Sequence, residues 1–181
     1  KKGDQEDYAM DLEKRLKHGE LTNPDSIHFD DSLKYFTVRK HRLVYGGGGI
    51  MPDYFVPLDT MKFTRFHRQL AVKNIIMDAY LKYVDTNRKS LRAKYTAFDA
   101  FVKSYEVPEN LIQNIVAEGK KQKIEPTDDA ERERTIAYIK LQIKSLVARD
   151  IWNMNEYFRI WNEESDIVKK ALEVVGKPLP N

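Results

Sequence analysis

The chain contains no cysteine, which excludes disulfide bonds, zinc sites built on thiolates and a cysteine nucleophile. It also has no apolar run near the roughly 20 residues that cross a bilayer. Its opening residues, Lys1 to Asp4, do not have the pattern of a signal peptide. Because the chain opens without Met, we expect it to be a piece of a longer protein.

The chain also lacks a strong excess of charge of either sign. It has 31 basic and 28 acidic side chains, a net charge of +3, and the two signs are interspersed along most of its length. This balance argues against a dedicated nucleic-acid binder. Binding through Arg39–Arg42 and Lys120–Lys123 remains a separate hypothesis, which predicts salt-dependent retention on heparin.

What the chain has instead is a run of four glycines, Gly46–Gly49. Glycine has no Cβ, so this backbone can adopt dihedral angles that are closed to other residues. The pattern before it predicts a hairpin of strands Tyr35–Val38 and Leu43–Tyr45, joined around Arg39–Arg42. After it, Tyr54–Val56 is predicted to be a strand. The glycine run therefore joins a small β part to a larger helical part.

The region before the hairpin has few apolar residues. Apolar positions at helical spacing predict a short helix over Glu6–Leu21, which ends at His18 and Gly19, with the glycine at C′. Thr22–Ser26 has the residues of a turn. We expect a loop over Ile27–Leu33.

Beyond Asp59 the apolar spacing changes to that of helices. The first predicted helix is apolar over much of its circumference and ends or breaks at Asn87–Ser90. Thr96–Asp99 has the pattern of a capping box that opens a short helix. Pro108 opens a third helix that stops near Gly119, and Thr127 is the expected N-cap of a fourth.

The last two helices have well-defined apolar faces. The fourth helix is predicted to bury Ile136, Ile139, Ile143, Leu146 and Val147. The final helix has a short heptad seam: Phe158, Trp161, Ser165, Val168, Leu172 and Val175. At this spacing aromatic residues pack in a core or a helix interface more often than they stack on a ligand. The candidate interface residues are Trp152, Phe158, Trp161, Val168 and Leu172.

These patterns predict a mainly α fold. It has a helical bundle of about five helices and a small N-terminal hairpin and strand part. The predicted domain boundary lies at Asp59, between residues 1–59 and a helical domain over residues 60–181. A length of 181 residues with 41% hydrophobic content fits one domain or one and a half.

No pattern in the chain predicts an active site. A phosphate-binding loop needs Lys-Ser or Lys-Thr after its last glycine, but Ile50 and Met51 follow here. The four histidines, His18, His28, His41 and His67, do not have metal-ligand spacing, and we interpret them as surface residues. No serine lies in a nucleophile motif. We therefore predict no catalytic residue, no metal ligand and no cofactor in this chain.

The glycine-rich segment resembles a known family signature. It is similar to the Gly-Gly-Ile-x-Pro-Asp-x-x-Val-Pro motif near the end of the catalytic region of C-terminal processing peptidases, also called tail-specific proteases. The residues that carry the match are Gly46, Gly47, Gly48, Gly49, Ile50, Pro52, Asp53, Val56 and Pro57. Flanking stretches such as Glu6–Glu20 and Tyr83–Arg88 also resemble the longer bacterial members. The resemblance covers roughly the first hundred residues.

This resemblance implies a serine endopeptidase that has a Ser-Lys dyad, a PDZ domain that recruits substrate tails, and export to the periplasm or cell envelope. In such enzymes a neutral lysine takes the serine proton, and no metal or cofactor is required. The dyad and the PDZ domain would precede Lys1, so no serine or lysine of this chain is assigned as catalytic. The segment around Ile50–Val56 would join the catalytic sheet, and its free edge predicts self-association.

Two hypotheses about function follow. In the first, the chain is the non-catalytic C-terminal part of such a protease, and its helices brace the core, form a homo-oligomer interface or position the substrate. In the second, the chain is a stand-alone helical module that binds a partner protein through the seam around Phe158 and Trp161, and the signature is a coincidence. The coding sequence upstream of Lys1 distinguishes the two.

Overall fold

The computed structural model describes residues 10–28, 31–46, 53–59 and 62–177, and its fold is mainly helical with one small antiparallel sheet. The helices in this described part are α1 (Asp11–Lys17), α2 (Arg65–Val72), α3 (Ile75–Lys94), α4 (Phe98–Ser104), α5 (Glu109–Lys121), α6 (Asp129–Ile151), α7 (Met154–Glu163) and α8 (Asp166–Val174). The strands are β1 (Lys34–Phe36) and β2 (Leu43–Tyr45). The predicted fold class is confirmed. There are more helices beyond Asp59 than expected because two of the predicted helices are each broken once.

The chain divides into two compact units. The first unit comprises Lys1–Asp59 with Lys170–Asn181, and the second comprises Thr60–Lys169. The change at Asp59 lies where the sequence pattern places a domain boundary. Residues 170–181, which the sequence analysis assigns to the helical domain, group with the first unit.

The hairpin of the first unit is present as predicted, with shorter strands. β1 pairs antiparallel with β2, and Tyr35 lies opposite Val44. The turn is closed by the amide of Thr37, which donates to the carbonyl of Arg42 at 2.9 Å. His41 has φ of 47°, so a left-handed residue turns the chain without the Asn-Gly or Asp-Gly pair typical of tight hairpins. Val38 lies outside β1 and is 91% exposed.

The predicted strand Tyr54–Val56 is wrong. These residues have no regular secondary structure, and the described sheet has two strands only. A strand needs a neighbouring backbone to pair with, and the described part of the chain offers this segment none. Just after this segment, the Leu58 backbone amide donates a hydrogen bond to the Leu21 carbonyl at 2.8 Å.

The short helix α1 ends as predicted. Gly19 follows the C-cap residue His18 with φ of +80°, a left-handed conformation that favours glycine. The expected turn over Thr22–Ser26 contains a 3₁₀ helix, Pro24–Ser26, whose N-cap Asn23 accepts a hydrogen bond from the Asp25 amide. A second 3₁₀ helix, Asp31–Leu33, replaces the end of the predicted loop.

The second unit contains every buried apolar side chain of the described residues. The fully buried ones of largest volume are Tyr80, Phe66, Phe101, Leu70, Ile76, Ile112, Ile115, Ile139, Ile143, Val84 and Val147. They come from α2 to α6, so these helices surround a common core. The face predicted for the fourth helix is confirmed, with Ile136 only partly buried.

The first predicted helix is broken between α2 and α3. Asn74 has φ of 56° and ψ of 12°, a left-handed conformation that interrupts the helix after Lys73. The end predicted at Asn87–Ser90 is wrong, because α3 continues to Lys94. Its internal polar side chains are accommodated by bonds to the helix itself, such as Asn87 Nδ2 donating to the Tyr83 carbonyl at 2.9 Å.

The sequence predicted where these helices start, but not always which residue is the N-cap. The capping box at Thr96–Asp99 is wrong, since the N-cap of α4 is Ala97, which makes no side-chain cap bond. Pro108 does open α5, but that helix continues through Gly119 to Lys121. A Cβ at Gly119 would lie 2.7 Å from Cδ2 of Leu70, so this glycine allows close packing inside the helix. The N-cap of α6 is Asp128 rather than Thr127.

The final predicted helix is also two helices, so the continuous heptad seam is wrong. The break lies at Glu164 and Ser165, where the Ser165 hydroxyl accepts a hydrogen bond from the Val168 amide at 3.4 Å. Lys62 holds this break by donating to the Glu164 carbonyl at 2.9 Å and to the Asp166 carboxylate at 2.7 Å. Serine stabilises a helix more as its N-cap than in its interior, so Ser165 favours a new helix start within the predicted seam.

Candidate interaction surfaces

The start of the glycine-rich signature is tightly packed. The Gly46 amide donates to the Leu33 carbonyl at 2.7 Å. A Cβ at Gly46 would lie 2.7 Å from Cε2 of the Tyr35 ring, so any other residue would displace that ring. Gly47, Gly48, Gly49, Ile50 and Pro52 lie outside the described residues.

The end of the signature contacts the hairpin. The Asp53 carboxylate accepts a hydrogen bond from the Arg42 guanidinium. Val56 is half-buried and Pro57 is exposed. Arg42, which the sequence places in a basic turn, is therefore neutralised by the signature's own aspartate.

The hairpin exposes apolar side chains on both faces. Tyr35 is 56%, Phe36 64%, Leu43 44% and Val44 40% exposed, and we call these four residues the hairpin surface. Side chains alternate between faces along a strand, so Tyr35 with Val44 and Phe36 with Leu43 lie on opposite faces. None of the described residues of the first unit is buried. The first unit therefore has a hairpin but no core among its described residues.

The candidate interface residues lie in different surroundings. The Trp152 ring lies edge-on to Phe98 at 5.6 Å and to Phe101 at 5.5 Å, between ring centroids, and so packs against the core of the second unit. Phe158 is 49% exposed and Leu172 is 71% exposed. Trp161 and Val168 are half-buried.

Trp161 belongs to an aromatic cluster that the sequence analysis missed. Its ring stacks on Tyr157 at 5.7 Å with an interplanar angle of 14°. It also meets Tyr138 edge-on at 5.5 Å. The four-residue spacing of Tyr157 and Trp161 is visible in the sequence, but the contribution of Tyr138 from α6 is not. Burial raises the pKa of the Tyr138 hydroxyl to about 12, so this cluster stays neutral over the physiological range.

The histidines do not form a metal site in the described part of the chain, where no group of three or more His, Cys, Asp or Glu side chains could hold an ion. His67 is not a surface residue, contrary to the sequence-based interpretation, since it is 6% exposed. Its Nε2 lies 3.1 Å from the Gln142 amide oxygen, and its ring meets Tyr138 edge-on at 4.9 Å. Burial lowers its pKa, so we assign the neutral form and a packing role.

A buried carboxylate organises one end of the second unit. Glu131 is 7% exposed, and its oxygens accept hydrogen bonds from the Phe66 amide at 2.9 Å and the Thr127 amide at 2.6 Å. These bonds, with that from the Thr127 hydroxyl, lower the pKa of Glu131 to about 2 in spite of its burial. The carboxylate therefore caps the start of α2 and supports the start of α6. Both of its oxygens accept hydrogen bonds from the protein itself, so we assign it a structural role.

Comparison with known proteins gives one match. The model of a family described as a family of unknown function (DUF8443) matches residues 66–153. This stretch runs from α2 through α6, within the second unit, and leaves the glycine-rich signature outside it. No curated protein and no solved structure is significantly similar to the chain.

The described helices also bear on membrane topology. None of them combines the length and the apolar character that a bilayer-crossing segment requires. The longest, α6, buries Glu131 and Thr135 among its core residues.

Proposed function

We propose that the chain is the non-catalytic C-terminal part of a carboxyl-terminal processing serine endopeptidase, with the catalytic serine, the catalytic lysine and the PDZ domain in the preceding part of the protein. The observation that carries this proposal is the hairpin surface next to the glycine-rich signature, in a unit without a buried residue among those described.

The hairpin has no buried residue beneath it among the described residues of its unit. An isolated two-stranded hairpin is at best marginally stable in water. Covering a large apolar side chain contributes roughly 1.5–3 kcal/mol, and the hairpin surface offers four such side chains on two faces. A further sheet strand and an opposing layer from the catalytic region would supply that cover. The resemblance of Gly46–Pro57 to the protease signature supports the proposal, because in that family the catalytic region would precede this chain.

The helical unit would serve the protease in a structural role. Its own core is extensive, so it can fold around α2 to α6 and brace the catalytic region, form a homo-oligomer interface or position the substrate. The reaction itself would need no metal and no cofactor, because a neutral lysine activates the serine. The substrates would be proteins with accessible C-terminal tails in the periplasm or cell envelope.

The test uses the natural polypeptide that includes the upstream sequence. We expect it to cleave an unstructured peptide with an apolar C-terminus and to lose that activity when the upstream serine is replaced by alanine. We expect the 181-residue chain alone to show no turnover. Cleavage by this chain after full purification, or an upstream frame without a serine and lysine pair, would overturn the proposal.

A substitution in the hairpin surface adds a structural arm to this test. Phe36→Asp should lower the activity and stability of the full protein, because a charge would enter the covered face. The control is Lys40→Asp, at an exposed position in the turn of the same hairpin, which should leave both unchanged. Equal behaviour of the two variants would show that the hairpin surface is not covered.

The second candidate, a stand-alone helical interaction module, is favoured by the exposed apolar residues Phe158 and Leu172. It predicts an initiator methionine directly before Lys1. It also predicts that the 181-residue chain self-associates or binds a partner through α7, so that Phe158→Asp reduces the mass measured by light scattering. Asn155→Asp, which adds the same charge at an exposed position of the same helix, is the control.

A further inference from the structure

His67 on α2 is a buried ring with one nitrogen left unsatisfied. It is 6% exposed. Its Nε2 lies 3.1 Å from the Gln142 carboxamide oxygen, and its Nδ1 is enclosed without a hydrogen-bond partner in the described part of the chain. A carboxamide oxygen only accepts hydrogen bonds, so we assign the proton to Nε2. A second proton, on Nδ1, would place a charge and a new donor where no described acceptor is within hydrogen-bonding distance.

Two aromatic rings pack against this imidazole. Between ring centroids, His67 meets Tyr138 edge-on at 4.9 Å and Phe63 edge-on at 6.3 Å, and Phe63 meets Tyr138 at 5.2 Å. The three rings form a closed triangle of α2, α6 and the segment before α2. An aromatic face can attract a cation, but burial is the largest influence on His67 and lowers its pKa from 6.5, against a smaller opposing effect of the Gln142 bond. The neutral imidazole is therefore the form that this packing accepts.

The charged and titratable groups around His67 do not supply a counter-ion. Tyr138 faces the ring from α6, and its pKa of about 12 keeps it neutral. The Glu131 carboxylate of the same helix is taken up by backbone amides. Before α2, the Lys62 ammonium is bound at the start of α8, and on α2 itself the Arg65 guanidinium is bonded to an amide oxygen and a backbone carbonyl. Among the described residues, no carboxylate of any helix forms an ion pair with His67.

Tyr138 connects this site to α7. Its ring meets Trp161 edge-on at 5.5 Å, and Trp161, which is half-buried, stacks on Tyr157 at 5.7 Å. The rings of His67, Tyr138 and Trp161 thus follow one another from α2 through α6 to α7. Lys62, in the segment before α2, also holds the end of α7 by donating to the carbonyl of its C-cap residue at 2.9 Å. A change at His67 therefore reaches α7 through direct contacts.

We propose that His67 is a pH-sensitive switch that controls the packing of α7. At neutral pH the uncharged ring completes the triangle with Phe63 and Tyr138. When a proton from solvent binds Nδ1, the imidazolium leaves the buried site, because water supplies the acceptors that the site lacks. Tyr138 then loses its neighbour, and Trp161, which packs on it, becomes accessible to solvent. Because the pKa of His67 in the closed form lies below 6.5, the closed form is favoured above that pH and is progressively lost below it. This inference does not rest on the proposed protease.

The test measures acrylamide quenching of Trp161 fluorescence in the 181-residue chain that carries Trp152→Phe, since the chain has two tryptophans. We expect the quenching constant to rise about twofold between about pH 7.5 and about pH 5, because histidine takes up its proton in this range. Far-UV circular dichroism should keep its helical signal, since the core of α2 to α6 stays in place. In the wild-type chain, proton NMR should show the His67 ring titrating below pH 6.5.

Variants assign the response to His67. His67→Phe keeps an aromatic ring in the triangle but has no site for a proton, so the quenching of Trp161 should be the same at both pH values. His28→Phe is the matched control, because it makes the same substitution at an exposed histidine, and it should respond as the parent chain does. Both variants carry Trp152→Phe, and circular dichroism checks that each is folded. The NMR titration of the wild-type chain decides the question if Trp152→Phe prevents folding.

The proposal is overturned if the quenching of Trp161 is equal at the two pH values, or if His67→Phe responds as strongly as His28→Phe. It is also overturned if the helical signal is lost as the quenching rises, because the chain would then unfold as a whole. A His67 ring that titrates at or above pH 6.5 would have the same consequence, since the closed site would not exclude the proton.

Discussion

Glu131 links the start of α2 to the start of α6. It accepts one backbone hydrogen bond from Phe66 and two bonds from Thr127, while Asp128 caps the amide of Glu131 itself at 2.6 Å. This is a reciprocal capping arrangement in which the third residue of the helix reaches back to the residue before the N-cap. Because the carboxylate is buried, its loss leaves the Phe66 amide of α2 and the Thr127 amide before α6 without these partners.

Glu131→Gln is therefore expected to lower the free energy of unfolding by about 2–3 kcal/mol, because hydrogen bonds to charged groups are worth about 1.5–3 kcal/mol each and glutamine offers one acceptor oxygen in place of two. Urea unfolding followed by circular dichroism measures the change. Glu133→Gln, at an exposed position of the same helix, should change stability by less than about 0.5 kcal/mol. Equal effects of the two substitutions would contradict the capping role.

The pKa of Glu131 predicts a pH dependence. Its folded-state pKa of about 2 lies below the ordinary value of 4.5, so the unfolded chain takes up the proton first as the pH falls. The stabilisation by this carboxylate is fully present above about pH 4.5 and is lost between that pH and about 2. Several exposed carboxylates titrate in the same range, so we compare the wild-type chain with a variant.

We expect the difference in unfolding free energy between the wild-type chain and Glu131→Gln to be constant from pH 7 to pH 5 and to shrink as the pH is lowered to 3. Urea unfolding at each pH measures it. The same difference for Glu133→Gln should stay near zero throughout. A wild-type advantage that grows below pH 5 would show that the sign of the shift is wrong.

At the scale of elements, two short breaks decide the arrangement of the helices. Asn74 turns the chain between α2 and α3 in a left-handed conformation. Its backbone N–H donates to the Ala71 carbonyl at 2.9 Å. Both helices then bury an apolar face, α2 through Phe66 and Leu70 and α3 through Ile76 and Tyr80.

We predict opposite results for two substitutions at Asn74. Asn74→Gly should leave stability within about 0.5 kcal/mol of the wild-type value, since glycine adopts positive φ at no steric cost. Asn74→Ala should cost about 1 kcal/mol, because alanine keeps the Cβ that strains this conformation but lacks the short polar side chain that lets asparagine adopt it. Thermal unfolding monitored by circular dichroism distinguishes them.

Lys73→Ala is the matched control for this pair, since Lys73 is exposed and has φ of −87°. It should be neutral. If Asn74→Ala were as stable as Lys73→Ala, the chain would tolerate a continuous helix here, and the break would not be required by packing.

At the scale of the whole molecule, burial is uneven. The described residues of the second unit include a core built from α2 to α6, whereas those of the first unit include no buried side chain. Local stability follows the density of buried contacts. The two units should therefore differ in their resistance to unfolding and to proteases.

Limited trypsin digestion of the 181-residue chain should cut first at Arg39 and Lys40, which are exposed in the hairpin turn. A fragment that retains α2 to α7 should persist, as identified by mass spectrometry. Lys82 and Lys89 are also exposed, but they lie within α3 and should be cut more slowly. Cleavage at all four sites at the same rate would contradict the uneven stability.

The same digestion tests the proposed cover of the hairpin. In the full natural protein we expect Arg39 and Lys40 to be cut more slowly than in the 181-residue chain, because the catalytic region would order the strands on either side. Equal rates in the two proteins would mean that no upstream region packs on the hairpin surface.

The sequence predicted most elements but misplaced their ends. The periodicity of apolar residues identified the helical half, the hairpin, the end of α1 at Gly19 and the buried face of α6. It could not find the breaks at Asn74 and Ser165, because both lie inside apolar patterns that continue across them. Thr127 and Asp128 are both good capping residues by type. In the structure Asp128 accepts from the Glu131 backbone amide, whereas the Thr127 hydroxyl donates to the Glu131 carboxylate.

The sequence also predicted some features of the candidate sites and missed others. Phe158 and Leu172 are exposed, but they lie on different helices, and Trp161 packs against Tyr138 from α6. A groove lies between α3 and α5, and it has no signal in either helix alone. Asn110 and Asn114, which line it, have the spacing of an ordinary solvated helix face.

By itself the sequence determined the fold class and the resemblance of its glycine-rich segment, because both depend on local pattern and residue type. Only the tertiary structure decided which helices break, which carboxylate is buried and where an open groove lies, because these depend on contacts between residues that are far apart in the chain. Glu131 is buried because the starts of α2 and α6 lie side by side. The local sequence around Glu131 does not predict that contact.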